Sequence, residues 1–261
     1  MAYSETRYAA SVFLNAAIPL FRVLAEELPA GKSLLKKEGI IQFRTQDGDE
    51  ALGTHFELKE GEMKTVLGLA ENPDVELFFP SLEHFVAFFQ GKSKKLPKIK
   101  GLGKPGLLIP TFRLLLSMAS ILGQKGCPAK EEDQLQLIKL MYYLLPAGIS
   151  TLNKMGHPTV KHWSETSPDR VYAWALDGHP EIASYLRVKA GKTKASRGAY
   201  TRSQPFFTMR FADPVSALAV LQQTGDMLKL TAERKLIMEG APEFGGKIGD
   251  LMMLVGQYAQ G

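Results

Sequence analysis

A single cysteine, Cys127, stands in 261 residues, so no intramolecular disulfide forms and thiolate-built metal clusters are excluded. A reducing, cytoplasmic setting is the expectation. Histidine is scarce too: His55, His84, His157, His162 and His179 are the five, and no two stand at zinc-site spacing with a carboxylate partner. They are expected in surface or packing roles, with no metal and no cofactor. No G-x-S-x-G elbow occurs, and Cys127 lies in a Gly-Cys-Pro break with no sequence-level base to activate it, so the chain is not expected to be an enzyme. Nor is there a comfortable membrane span. The most apolar stretch, Gly106 to Gly123, barely reaches the ~18–20 residues a span requires, and Pro110 and Arg113 interrupt it. Arg113, Ser117, Ser120 and Gln124 form a polar stripe along it at helical spacing. The apolar run from Ala9 to Phe21 follows Glu5 and is broken by Asn15 and Pro19, which reads as a structural helix rather than a secretion signal.

One further absence is local. Between Glu83 and Glu131 there is no acidic residue, while Lys92, Lys94, Lys95, Lys98, Lys100, Lys104, Arg113, Lys125 and Lys130 all fall there. Such a patch either keeps a loop solvated or attracts an anionic lipid surface or a phosphate-bearing ligand. Lys94, Lys95, Lys98, Lys100 and Lys104 are the candidates for contact with a head group or for transient contact with an anionic membrane. Nucleic acid is not an expected partner, because no aromatics are interleaved to stack bases.

What is present points to two domains. The chain is 45% hydrophobic and 23% charged with a net charge of +5, enough for roughly two globular cores. The stretch from Asn72 to Gly101 sets the order: Val75, Leu77 and Phe79 alternate as a half-buried strand, and Pro80-Ser81 breaks it and offers a helix cap. Leu82, Phe85, Val86 and Phe89 then recur at helical steps, and Lys98-Ile99-Lys100 forms a short strand before Gly101. The same order returns with Phe207, Met209 and Phe211, the Asp213-Pro214 cap, Ala217, Leu218 and Leu221, and Leu236 to Gly240. Upstream, Asp47-Gly48 matches Asp177-Gly178, Phe56 and Leu58 match Leu186 and Val188, and Gly61 and Gly68 match Gly191 and Gly198. One constant spacing joins these upstream pairs, as a duplication would leave it.

In chain order, Phe13, Ala17, Leu20, Phe21, Leu24 and Leu28 share one helix side, which Pro29-Ala30-Gly31 ends. A hairpin turns at Asp47-Gly48, with Phe56 and Leu58 facing inward and His55, Glu57 and Lys59 facing water. The helix over Gly106 to Gly123, apolar over most of its circumference, is expected to be buried on more than one side. It lies between the domains, or lines a tunnel with one side and packs on the sheet with the other. Gly126-Cys127-Pro128 is the expected boundary, giving domains 1–126 and 127–261. A helix from Glu131 to Lys154 follows, kinked or ended at Pro146, then an irregular connection from Met155 to Pro168 and a second set of strands. Ala241-Pro242-Glu243 starts the final helix. Gly101-Leu102-Gly103-Lys104-Pro105-Gly106 matches G-x-G-x-x-G, but the preceding strand is Lys-Ile-Lys rather than a buried apolar run, and no ribose-binding acid follows.

The pattern of a helix, antiparallel strands with a D-G turn, a helix, a K-I-K-G strand and a closing apolar helix resembles the sterol carrier protein type two family, twice over. The resemblance implies an α+β fold of two tandem domains, each a mainly antiparallel twisted sheet covered by helices around an apolar cavity. It also implies non-catalytic binding or transfer of a fatty acid, fatty acyl-CoA, sterol or phospholipid. Phe85, Phe88, Phe89, Leu115 and Met118 in the first copy, and Leu221, Met252 and Met253 in the second, are the residues expected on tunnel walls. Rings and thioethers suit such walls by offering area and adaptability. The alternative is a ligand-free module accessory to another enzyme, its apolar helices serving domain packing or homo-oligomerisation.

Overall fold

The structure, a computed structural model, describes residues 3–240 and 243–260, so the expected helix start at Ala241-Pro242 lies outside the described residues. The fold is α+β, with two five-stranded sheets flanked by helices. Residues 3–120 with 258–260 form one compact unit and residues 121–240 with 243–257 the other.

In the first unit, the Ser4 hydroxyl accepts from the Arg7 N–H and opens α1 (Glu5–Val12). The helix widens into a π turn at Phe13–Ala17, where the Ile18 N–H reaches the Phe13 carbonyl at 2.8 Å, and resumes as α2 (Leu20–Glu27). Pro19, which has no N–H to give, sits just after the widened turn. The helix ends just before Pro29, as expected, but a new helix that was not expected starts there. Leu28 turns extended, and Pro29 takes the first position of this helix, α3 (Pro29–Leu35), where a missing N–H costs nothing.

The first sheet comprises β1 (Gly39–Asp47), β2 (Glu50–Lys59), β3 (Glu62–Leu67), β4 (Val75–Phe79) and β5 (Lys98–Lys100), in the order β3-β2-β1-β4-β5. The β1–β4 pair is parallel and the others antiparallel. Ser81 caps α4 (Leu82–Phe89), accepting from the His84 N–H. Phe21, Phe43, Phe56, Phe79 and Phe85 are fully buried between sheet and helices. Phe56 and Leu58 point inward as read from alternation, but His55 is buried as well. Its Nδ1 lies 2.9 Å from the Gly68 carbonyl, a partner that makes an inward-lying imidazole tolerable. The next helix, α5, runs Pro105–Leu122.

The second unit begins with α6 (Glu131–Lys154), which continues past Pro146 instead of ending there, and α7 (Pro158–Thr166), which replaces the expected irregular connection. Its sheet holds β6 (Arg170–Leu176), β7 (Ser184–Lys189), β8 (Lys192–Arg197), β9 (Phe207–Phe211) and β10 (Leu236–Gly240). Helices α8 (Pro214–Leu221), α9 (Met227–Ala232) and α10 (Glu243–Gln260) complete the chain. The order β10-β9-β6-β7-β8 is that of the first sheet read from its other edge, again with one parallel pair, β6–β9. Left-handed backbone recurs at matching turns: Glu60 and Gly61 have φ of 54° and 81°, Ala190 and Gly191 of 48° and 71°.

Candidate functional site

The expected wall residues of the first unit come together around Phe79. Its ring lies 5.1 Å from that of Phe85 and 5.2 Å from that of Phe88, and Phe85 and Phe89 are 4.8 Å apart. Phe13 closes the cluster at 5.4 Å from Phe89. Ring centroids at these separations are in contact, so the aromatics occupy the space between α4 and the sheet with one another. Leu115 and Met118 are buried on α5. In the second unit Leu221 and Met252 are buried, and the Met252 thioether accepts from the Trp174 indole N–H at 3.3 Å. Met253, 43% exposed, faces solvent, because successive positions on a helix point about 100° apart.

Of the basic candidates, Lys94, Lys95, Lys98 and Lys100 are exposed and have no ion pair among the described residues. Lys98 Nζ lies 6.0 Å from the Phe78 ring centre, a cation over an aromatic face. Lys104 is committed elsewhere: it pairs with Asp74, whose other oxygen accepts from the Ile40 N–H at 2.7 Å. The Lys104 hydrogen bond holds the Asp74 carboxyl below its ordinary range against partial burial, with help from the Ile40 N–H and the Lys104 and Lys100 charges.

The glycine loop does not have the setting of a dinucleotide site. β5 is an antiparallel strand at the sheet edge, whereas the dinucleotide fingerprint follows a parallel strand at a sheet's switch point. Gly101 serves packing instead, since a side chain there would collide with the Asp74 carbonyl. No cluster of three or more His, Cys, Asp or Glu suited to a metal occurs among the described residues.

The feature that sequence reading missed lies along α5. Among the described residues, three helical stretches are long and apolar enough to cross a membrane: Glu5–Glu27, Pro105–Leu122 and Glu131–Lys154. The first and third are 83% and 72% buried, but α5 is only 28% buried, so its apolar surface is not consumed by packing. Leu107, Thr111, Leu114, Leu115 and Met118 make one buried side; on the other, Ile109 is 50% and Leu116 68% exposed. The expectation of burial on more than one side is overturned. Beside the exposed side opens a recess of about 540 Å³, lined by Leu28, Pro29, Ala30, Ser33, Arg113, Leu116 and Ser117. Apolar groups dominate the lining, Arg113, Ser33 and Ser117 are its polar members, and the recess opens widely to solvent. None of the expected wall residues lines it. A sequence signal existed in the mainly apolar run around Arg113, but α3 and α5 are too far apart in the chain to be paired by pattern.

No protein-family model matches the chain, and no curated protein matches it. Among solved structures it is similar to UbiJ-SCP2, a ubiquinone synthesis protein, at 18% identity over 44% of this chain and 96% of that one, with a TM-score of 0.30. A conserved hypothetical protein, possibly sterol carrier protein, from Thermus thermophilus is similar at 16% identity over 52% of this chain and 94% of that one, with a TM-score of 0.31. Sterol carrier protein 2 is similar at 16% identity over 50% of this chain and 95% of that one, with a TM-score of 0.27. The α+β architecture rests on this chain's own strand order and registers.

Proposed function

We propose that this protein binds or transfers a hydrophobic ligand of the lipid class without covalent chemistry, and that it is built from two tandem copies of one α+β unit. The recess beside α5 carries the reading. Its apolar walls supply desolvation, in which each methylene moved out of water contributes about 0.8 kcal/mol. Arg113, Ser33 and Ser117 are the polar members of the lining, and a guanidinium and hydroxyls suit an anionic or ester head group. The guest site so drawn lies outside the aromatic cluster, whose rings are already in mutual contact. The tandem organisation is supported by the shared strand order and by left-handed residues at matching turns.

Mass spectrometry of solvent extracts of the purified chain, with uptake of a fluorescent acyl probe, tests the reading. Lipid in the extract and saturable uptake are expected. Ser33→Trp, on an exposed position of α3, fills the recess and is expected to weaken uptake at least about tenfold while leaving the fold intact. No extracted lipid together with no uptake would remove it.

A further inference from the structure

The outward side of α5 combines three properties rarely left together on a protein surface. It is long: 18 residues at a rise of about 1.5 Å each make a rod of about 27 Å. It is apolar and bare. Ile109, Arg113 and Leu116 follow at steps of four and three, so they form one stripe, with half-buried Leu108 and Phe112 on its flank. Leu102, in the turn before the helix, is 72% exposed. It is also free of negative charge, because no acidic residue occurs between Glu83 and Glu131. Exposed Lys92, Lys94, Lys95, Lys98 and Lys100 precede the helix, and Lys37 lies 3.7 Å from where a side chain at Gly106 would start, against the first turn.

We infer that this stripe is a docking face for an anionic lipid bilayer, with α5 lying in the plane of the interface. An in-plane helix needs one apolar side for the acyl boundary and cations near the phosphates, and a long cation at its middle can extend its charge back to the head groups. Spanning is ruled out while Leu107, Leu114 and Met118 stay buried in the protein. Charge separates this occupant from a second copy of the chain. Symmetric pairing would set Arg113 and the acid-free lysine span against their own images, with no carboxylate from that span to offset them. A bilayer containing anionic lipid supplies the opposite sign over the whole face. Docking does not require the recess to hold a guest: protein that yields no lipid on extraction yet sediments with anionic vesicles keeps this inference and loses the other, and the reverse result does the opposite, so the two readings fail separately.

Co-sedimentation of the full chain with phosphatidylcholine vesicles, with and without phosphatidylglycerol, tests the inference. Binding is expected only with phosphatidylglycerol and is expected to fall with added salt. Ile109→Asp combined with Leu116→Asp is expected to lower the partition coefficient at least about thirtyfold. Lys94→Glu with Lys95→Glu is expected to lower it at least about tenfold. Both pairs are at exposed positions, and an unchanged circular dichroism melt confirms that they fold. As an independent reading, Ile109→Cys in a Cys127→Ser background, carrying a polarity-sensitive dye, is expected to shift to the blue on anionic vesicles alone. Equal binding to neutral vesicles, no binding to either, or unaltered binding by the aspartate pair would overturn the proposal. So would a lipid-free dimer in sedimentation velocity that the aspartate pair dissolves, which would give the face to a second copy.

Discussion

The same corner of the two sheets is built with different chemistry. In the first, the stretch entering β4 places Asp74, whose N–H reaches the Ile40 carbonyl at 2.9 Å; in the second, Phe206 enters β9 and its N–H reaches the Val171 carbonyl at the same 2.9 Å. The backbone bonds correspond, and so do the glycines that close the corner. A side chain at Gly101 would strike the Asp74 carbonyl, and one at Gly240 the Phe206 carbonyl. The side chains do not correspond. Asp74 is held by Lys104, whereas the Phe206 ring lies 3.9 Å beneath the Arg170 guanidinium, which also covers Phe244 at 4.4 Å. Topology here depends on a carbonyl, an N–H and a missing side chain. The charge pair and the cation–aromatic stack are alternative ways to finish it.

The helix pairs ahead of the sheets differ in the same sense. α2 and α3 meet through Gly31 and Ala25, so closely that a methyl on Gly31 would overlap the Ala25 backbone. α6 and α7 are joined by buried polar groups: the Ser164 hydroxyl donates to Asn153 Oδ1 at 2.6 Å, and Asn153 Nδ2 donates to the Gly191 carbonyl at 3.0 Å and to Thr193 Oγ1 at 3.1 Å. Both solutions serve the backbone, one by close approach and the other by satisfying atoms that burial would otherwise leave unpaired.

Four substitutions sharpen the contrast, and the two tryptophans, Trp163 and Trp174, both in the second unit, let its unfolding be followed apart from the whole-chain circular dichroism signal. The largest effect is expected from Gly31→Ala, about 3 kcal/mol of destabilisation in urea melts by circular dichroism, since backbone must move to admit the methyl. Its tryptophan transition is expected to hold. Next, Asn153→Ala is expected to cost about 2 kcal/mol and to move the tryptophan transition, because the Gly191 carbonyl and Thr193 Oγ1 lose the Nδ2 donor and Ser164 loses its shortest acceptor. A loss confined to the tryptophan-silent transition would break the comparison.

Asp74→Asn is expected to cost about 1 kcal/mol at neutral pH. Because the Asp74 carboxyl is held below its ordinary 3.8 in the folded protein, its contribution is complete above that value and is lost as pH falls through the lower, folded-state pKa. The penalty of the substitution should therefore shrink in acid. Arg170→Met is expected to cost least, about 0.5 kcal/mol, with no acid dependence in that window. If the two corner variants responded alike to pH, the chemical distinction between the corners would fail.

Much of the architecture was legible in the residues, for identifiable reasons. Alternation at Val75, Leu77 and Phe79 and at Phe207, Met209 and Phe211 marked both parallel-paired strands, because their inward side chains are apolar without exception. Their partners were not legible, since β1 meets β4 across an intervening hairpin. α7 escaped notice because Asn153 and Ser164, rather than an apolar stripe, do part of its docking. His55 was placed in water by alternation because its partner, the Gly68 carbonyl, belongs to the backbone and has no sequence signature. The site was the least legible part. Hydropathy marked α5 as greasy without saying which side the protein would cover, and the recess needs Ser33 and Arg113 brought together by tertiary structure.

Cys127 is exposed, and its only described contact is a weak one, its thiol 3.6 Å from the neighbouring Pro128 carbonyl. With no second sulfhydryl to compete, a maleimide reagent attaches at one address without mutagenesis. The same solitude means that air oxidation of stored material joins two molecules end to end through sulfur, a covalent artefact that reducing agent must clear before any hydrodynamic measurement is read.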